Sequence, residues 1–287
     1  MKKVFVSYMK LMRVKHWVKN FLVFLPLIFS GELFSSKNTH IVVVGFFVFS
    51  FLASSIYILN DIKDVKKDRL HQKKKYRPIA SGAISVKAGI TLLCTCFFIS
   101  IILNLLFIKS YMSCAYICVY FVINILYSNG LKNIPILDIV ILASGFLLRL
   151  SYGGVVANIE ISEWLYLTVI MASFYMGLGK RRNELGKDNQ EIATRGVLKF
   201  YDYNFLDKNM YMCLGLAQTF YALWAAGTGN KIMLWTVPVV VTIGMKYSLN
   251  IEKESDGDPV EVLAHDKLLW VMTSIYMALV ICALYVY

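Results

Sequence analysis

Charge is scarce in this chain of 287 residues: Asp, Glu, Lys and Arg make up 17% of it, against 58% apolar residues. Soluble domains carry about 25% charge and roughly 45–50% apolar residues. An ordinary soluble globule is therefore excluded, and the imbalance points to a membrane protein. Acid is scarcer than base, with 18 Asp and Glu against 30 Lys and Arg and a net charge of +12. No soluble basic region is left over that could dock on a duplex, so nucleic acid is excluded as a partner. The bases lie at the ends of apolar runs, where they set topology and meet anionic lipid. Zinc spacing is also absent. The six cysteines, Cys94, Cys96, Cys114, Cys118, Cys213 and Cys282, all fall inside apolar runs and behave as small buried hydrophobes, with no disulfide framework. His16 and His71 have no matching partners for a metal site or a triad. A small-residue cleavage site is missing after the basic N-terminus, so the first apolar run is expected to be a retained span.

What is present is a series of apolar runs, each about the 20 residues that a spanning helix needs. They are expected at 17–34, 40–62, 85–108, 111–129, 135–153, 162–182, 208–229, 232–250 and 268–287. Of the 30 Lys and Arg, all but Lys37, Lys109, Lys231 and Arg149 then fall on the side of the N-terminus. By the positive-inside rule that side is cytosolic. It also holds the two long loops, 61–84 and 183–207, and polar residues in membrane proteins concentrate where function is. The chemistry is expected on the cytosolic face.

The second span closes on Asn60-Asp61-Ile62-Lys63-Asp64-Val65-Lys66-Lys67-Asp68. In a helix, Asp61, Asp64 and Asp68 recur at i, i+3 and i+7 and share one face. Three crowded carboxylates repel one another unless a cation lies among them. Mg²⁺ suits such a place, because it takes one or two carboxylates with water and phosphate oxygens. The bland alternative is a solvated helix end of alternating charge. The chain continues through Lys73-Lys74-Lys75-Tyr76-Arg77-Pro78-Ile79-Ala80-Ser81-Gly82, a basic loop with a Pro/Gly exit.

The pattern NDxxDxxxD at 60–68 followed by RPIASG at 77–82 resembles the first signature of the UbiA-type prenyltransferase superfamily. That resemblance implies an all-α polytopic membrane fold, about nine transmembrane helices around a cytosol-facing cavity. It implies one integral-membrane domain over 1–287, with the two cytosolic loops capping the active site. Ordinary members carry a second Asp-rich motif on the sixth helix. Here that region reads Gly179-Lys180-Arg181-Arg182-Asn183-Glu184-Leu185, with Glu184 and Asp188 as the nearest acidic pair. Further segments are similar to the decaprenyl-phosphate phosphoribosyltransferase branch: Arg13-x-x-His16-Trp17-Val18-Lys19-Asn20, Tyr127-Ser128 with Leu131-Lys132 and Pro135-x-Leu137-Asp138, Gly145-Phe146-x-x-Arg149, and the Lys180 segment followed by Arg195 and Tyr201.

That branch implies transfer of 5-phosphoribosyl from phosphoribosyl pyrophosphate to polyprenyl phosphate, releasing pyrophosphate, at the cytosolic face of a bacterial-type inner membrane. Asn60, Asp61, Asp64 and Asp68 are the expected Mg²⁺ ligands, with the three aspartates as the catalytic set. Lys19, Asn20, Lys67, Arg77, Tyr127, Lys132, Arg149, Lys180, Arg181, Arg182, Glu184 and Tyr201 are the expected substrate contacts. The swap of acid for base on the sixth helix suits a substrate pair with additional phosphates, since Arg gives bidentate, permanently charged contacts. Arg149, inside a span, is expected either to pair with Asp138 or to face the cavity. Lys19 also reads as a snorkelling side chain, and Tyr127 and Tyr201 also read as interfacial belt residues. Two other functions compete: an ordinary prenyltransferase taking a prenyl pyrophosphate donor, and a transporter of phosphate ligands or lipids. The basic sixth-helix segment opposes the first, and the Asp-rich spacing is not explained by the second.

Overall fold

A computed structural model of the chain describes residues 2–72, 74–185, 196–252, 262 and 266–286. Lys73, Asp188, Arg195 and much of the expected 183–207 loop lie outside the described residues. Every regular element among those described is helical: α1 Lys2–Leu11, α2 Leu25–Phe29, α3 Ser36–Lys63, α4 Val65–Leu70, α5 Val86–Leu103, α6 Tyr111–Ser128, α7 Leu137–Ala157, α8 Glu163–Leu185, α9 Tyr203–Gly227, α10 Lys231–Glu252 and α11 Lys267–Tyr285. Among the described residues, six helical stretches are long and apolar enough to cross a membrane: Asn38–Lys63, Val86–Ile108, Tyr111–Ser128, Leu137–Ala157, Lys231–Glu252 and Lys267–Tyr285. The expected spans at 162–182 and 208–229 coincide with α8 and α9 to within two residues at the overhanging end. The first expected span is less regular than its apolar run suggested. It is a 3-10 helix over Val14–Phe24 that becomes α-helical only at Leu25–Phe29, where Pro26 lies in the first turn and needs no backbone donor.

The chain divides into two compact units. One comprises Met1–Leu27, Glu32–Ser128 and Ser151–Ile159, the other Ile28–Gly31, Asn129–Leu150 and Glu160–Tyr287.

In the first unit α3 is the central element. Val42, Val48, Phe49, Leu52, Ala53, Ile56 and Ile58 on it are all buried, whereas α5 exposes Ile90, Phe98 and Ile102, and α6 exposes Val119, Val122 and Leu126. A helix apolar all round belongs inside, and one with an exposed apolar face in a membrane protein meets lipid. Small polar residues tie α3 to the first segment, as is common between membrane helices. Asn20 donates to Ser50 at 2.9 Å, Trp17 donates to Ser54 at 3.0 Å, and Ser54 donates to the Met12 carbonyl at 2.8 Å. The 3-10 segment also runs hard against the end of α7, because Gly153 has no side chain. A Cβ there would lie 2.2 Å from the Val23 carbonyl oxygen.

In the second unit α8 packs along α9, α9 against α10, and α10 against α11. Its core joins Ile139, Tyr175, Leu178, Val197, Leu198, Tyr201, Leu206, Met210, Cys213 and Ile251. Asp202 and Asp266 cap α9 and α11, accepting from the Phe205 and Leu269 amides at 2.6 and 3.0 Å.

Gly153→Ala is expected to push two backbones apart and to cost at least the roughly 1–3 kcal/mol typical of an overpacked contact. The melting temperature of the detergent-solubilised protein measures this. An unchanged melt would show that the two segments do not touch.

Candidate functional site

The acidic segment of the first unit forms where α3 gives way to α4. Asp64 sits at the junction with φ −89° and ψ 4°, off the helical values, so the two helices do not run on as one. The backbone bonds nevertheless keep the i, i+4 relation: the Asp64 amide donates to Asn60 at 2.9 Å and the Asp68 amide to Asp64 at 2.8 Å. This break modifies the expectation that all three carboxylates lie on one helical face. Asp61 and Asp68 are turned inward, 3% and 4% exposed, while Asp64 is half-buried.

Arg77 joins the two buried carboxylates. A single guanidinium nitrogen, Nη1, donates to Asp61 Oδ1 at 3.1 Å and to Asp68 Oδ2 at 2.8 Å. Arg13 reaches the same Asp61 oxygen at 2.6 Å, with its guanidinium carbon 4.9 Å from the centre of the Tyr57 ring. Arg13 does this from a left-handed backbone, φ 51° and ψ 47°, which a side-chain-bearing residue rarely adopts. Burial pushes the Asp68 carboxyl above its ordinary value, and the charge and hydrogen bond of Arg77 offset only part of that rise. Asn60 accepts from the Ser128 hydroxyl through its side-chain oxygen.

The fit of this group to a divalent ion can be judged from its donors. Among the described residues no three His, Cys, Asp or Glu side chains stand close enough to hold an ion by themselves. Magnesium does not require that, since it takes one or two carboxylates and completes its shell with water and phosphate oxygens. Asp61 and Asp68 already converge on one cationic nitrogen, so two oxygens of the right hardness face a place that holds positive charge. The donor set of Asp61 and Asp68, with Asp64 and Asn60 nearby in the chain, fits the chemistry of Mg²⁺ bound together with a phosphate ligand.

The second unit builds a different cluster. Asp138, in the first turn of α7, and Arg181, near the end of α8, are both wholly buried and joined at 2.5 Å. Arg181 also holds Glu184 at 2.6 Å, one turn along its own helix. The Tyr201 hydroxyl donates to the other Asp138 oxygen at 2.6 Å and accepts from the Ile136 amide at 2.6 Å. Burial, then the hydrogen bond to Asp138, pushes the Tyr201 phenol up to about 12, so at neutral pH it is a donor. Ile136 itself is left-handed at φ 69°, an outlier for a β-branched residue, and the Tyr201 bond helps hold it there.

The expected substrate contacts divide accordingly. Arg77 is at the acidic group. Asn20 is 1% exposed and bonded to Ser50, which makes it a packing residue as placed. Arg181 and Tyr201 are turned into the second unit, so both hold the fold of their neighbours. Arg182 bonds Asp207 and lies over the Tyr203 ring, with 18% of its side chain exposed. Arg149 is 5% exposed and donates to the Gly145 carbonyl of its own helix, and Asp138 is taken by Arg181 instead. Lys67 is exposed, and Lys19, Tyr127, Lys132, Lys180 and Glu184 are half-buried. Three functional candidates escaped the sequence assignment. Arg13 stood inside the quoted R-x-x-H-W segment, and Asp138 is an acid within an apolar run, itself a signal. Asp207 had no signal that set it apart from a helix-end acid.

Residues 21–265 match the model of the UbiA prenyltransferase family. The chain belongs to that family. Within it, a decaprenyl-phosphate phosphoribosyltransferase from Corynebacterium glutamicum is 32% identical, the match covering 96% of this chain and 86% of that protein. The enzyme of the same name from Mycolicibacterium smegmatis is 29% identical over 99% and 94%. Among solved structures, a UbiA homologue from Archaeoglobus fulgidus bound to GPP and Mg²⁺ superposes with a TM-score of 0.71 at 18% identity, covering 97% of this chain and 99% of that one. A digeranylgeranylglyceryl phosphate synthase superposes with a TM-score of 0.69 at 15% identity, covering 99% and 100%. These structures share the UbiA fold with this chain, which is a multi-pass membrane protein.

Arg181→Met is expected to destabilise this UbiA-family protein by about 3–5 kcal/mol, because it leaves the Asp138 charge buried without its cation. Combining it with Asp138→Leu should recover part of the loss. Thermal or denaturant unfolding of the two singles and the double checks this, and strict additivity would argue against a direct pair.

Proposed function

We propose that the chain is a phosphoribosyltransferase that moves 5-phosphoribosyl from phosphoribosyl pyrophosphate to a polyprenyl phosphate and releases pyrophosphate. The observation that carries the proposal is the end-to-end similarity to decaprenyl-phosphate phosphoribosyltransferases in a chain that keeps the buried Asp61–Arg77–Asp68 group. The active site faces the cytosol, by the distribution of Lys and Arg, and the protein resides in an inner membrane of bacterial type, with nine spans if α8, α9 and the first segment also cross.

The roles follow from charge. Asp61 and Asp68, flanked by Asp64 and Asn60, are the residues that would hold Mg²⁺ where the donor pyrophosphate binds. The bound ion supplies neutralisation of the charge that gathers on the leaving group. Arg77, already among these carboxylates, donates to the same phosphates. Lys19, Lys67, Lys132, Lys180 and Arg182 are the cations for the remaining anionic groups, with Tyr127 as a hydroxyl donor. Asp138, Arg181 and Tyr201 are positioning residues that fix Glu184. An oxygen of the lipid phosphate attacks the anomeric carbon while the bond to pyrophosphate breaks. The attacking oxygen is already anionic, so no strong general base is needed, and positioning with electrostatic stabilisation lowers the barrier.

Membranes containing the protein, given ribose-labelled phosphoribosyl pyrophosphate, polyprenyl phosphate and Mg²⁺, should pass label into the organic phase. Asp61→Asn or a chelator should reduce the transfer by a factor on the order of a hundred or more, in keeping with loss of an electrostatic element of catalysis. Transfer seen only from a prenyl pyrophosphate to an aromatic or isoprenoid acceptor would make the protein an ordinary prenyltransferase. Uptake of phosphate compounds without a covalent product would make it a transporter.

A further inference from the structure

The N-terminal helix α1 has no part in the chemistry above, yet its apolar residues divide between a packed second half and an open first half. Leu11 is wholly buried and packs with Ile58, Ile79, Ile84 and Cys96, with Tyr8 and Met12 against the same group. That side faces the protein. Val4, Phe5 and Val6, in its first half, are 59%, 66% and 48% exposed. Lys10, near its end, is exposed as well. Three successive apolar residues left open in a helix require an apolar environment other than the protein.

The position of α1 along the spanning helices says what that environment is. Its buried residues meet Ile58, in the last turns of α3 before Lys63, and Ala88 and Leu92, in the first turns of α5 after Val86. The helix therefore lies at the level where two apolar spans end, which is the depth of the lipid headgroups. Tyr8 also lines a cavity of about 290 Å³ with Ala88, Thr91, Leu92 and Thr95 of α5. Thr91 and Thr95 direct their hydroxyls to carbonyls of their own helix, the Lys87 and Thr91 oxygens at 3.2 and 2.9 Å. What remains of that cavity wall suits hydrocarbon.

The sign of the partner follows from the sequence. Lys2, Lys3, Lys10, Arg13, Lys15 and Lys19 all precede Glu32, the first acid of the chain. Basic residues beside open apolar ones bind the surface of an anionic bilayer, the charge drawing the helix in and the apolar residues entering the headgroup boundary.

We propose that α1 is an interfacial helix that binds anionic phospholipid, with Val4, Phe5 and Val6 inserted among the upper acyl chains and Lys10 on the headgroup phosphates, in a segment whose sequence carries only positive charge. The cavity beside Tyr8 accepts part of an acyl chain. The site is separate from the carboxylate group and does not depend on which donor the enzyme uses.

The full chain, with p-benzoylphenylalanine in place of Phe5, is placed in nanodiscs of phosphatidylcholine containing a minority of phosphatidylglycerol and irradiated, and adducts are identified by mass spectrometry. The same photoreactive residue in place of Phe98, an exposed residue of α5, serves as the reference for a lipid-facing position. Phosphatidylglycerol adducts at position 5 should exceed its share of the bilayer several-fold, while those at position 98 follow the bilayer composition. Changing Lys2, Lys3 and Lys10 together to Gln should bring position 5 back to composition with the melting temperature unchanged. Adducts at position 5 to a second copy of the chain, an absence of lipid adducts there while position 98 gives them, or enrichment that survives the Gln changes would each overturn the proposal.

Discussion

A carboxylate removed from water has to meet a cation or lose its charge, and in this chain the arrangement of polar residues follows from how that requirement is met. Asp61 and Asp68 are buried at the end of α3 and in α4, and one nitrogen of Arg77 stands between them. Arg13 adds a second cation to Asp61. The basic loop that carries Arg77 is held over the helix end by this contact, since Arg77 arrives from nine and sixteen residues further along the chain. The loop is thus tied to the residues it would serve. A ligand bringing its own divalent ion and phosphates would replace one positive charge between the carboxylates with another, and would give the guanidinium new oxygens to meet. Donor binding at such a place exchanges partners and does not open a bare charge.

The nearness of Asp61 and Asp68 was legible because it is local: they lie seven residues apart, two turns of helix. That Arg77, and not Asp64, completes the buried group was not in the spacing. The break at Asp64 was not legible either, since it accompanies the burial of Asp61 and Asp68 against Arg77, a contact that spacing does not encode. The apolar runs gave the helices and their order for the same local reason. The first run misled on regularity. Its composition suits an α-helix, but the backbone of Val23 must pass against Gly153, a constraint from a residue far away in sequence.

The second unit shows where composition alone runs out. Lys180-Arg181-Arg182 reads as a block of positive charge, and on that ground as a place for phosphate. In the fold Arg181 is shared by Asp138 and Glu184 and Arg182 is bonded to Asp207. The partners of Arg181 and Arg182 come from α7, from the next turn of α8 and from α9. Only Glu184 is near enough in sequence to have been foreseen. Asp138 and Arg149 share one helix, which made their pairing an attractive expectation. Eleven residues on an α-helix, however, separate two side chains by about 16 Å of rise, too far to bond directly.

The strained backbone beside this cluster gives a reason for keeping a buried ion pair at all. Replacing such a pair with apolar residues is often neutral or stabilising, so stability does not explain its presence. Ile136 is held left-handed with its amide on the Tyr201 hydroxyl, and that hydroxyl is in turn held by Asp138. Asp138 takes its orientation from Arg181, and Arg181 fixes Glu184 on the adjacent turn. The chain of bonds runs from a loop through a buried carboxylate to a half-buried one, with Arg181 the member that orients the carboxylates on either side of it. An apolar replacement could fill the same volume but could not orient Glu184. What the ion pair contributes is direction: it fixes where the Glu184 carboxylate points, which no apolar pair of the same volume could do.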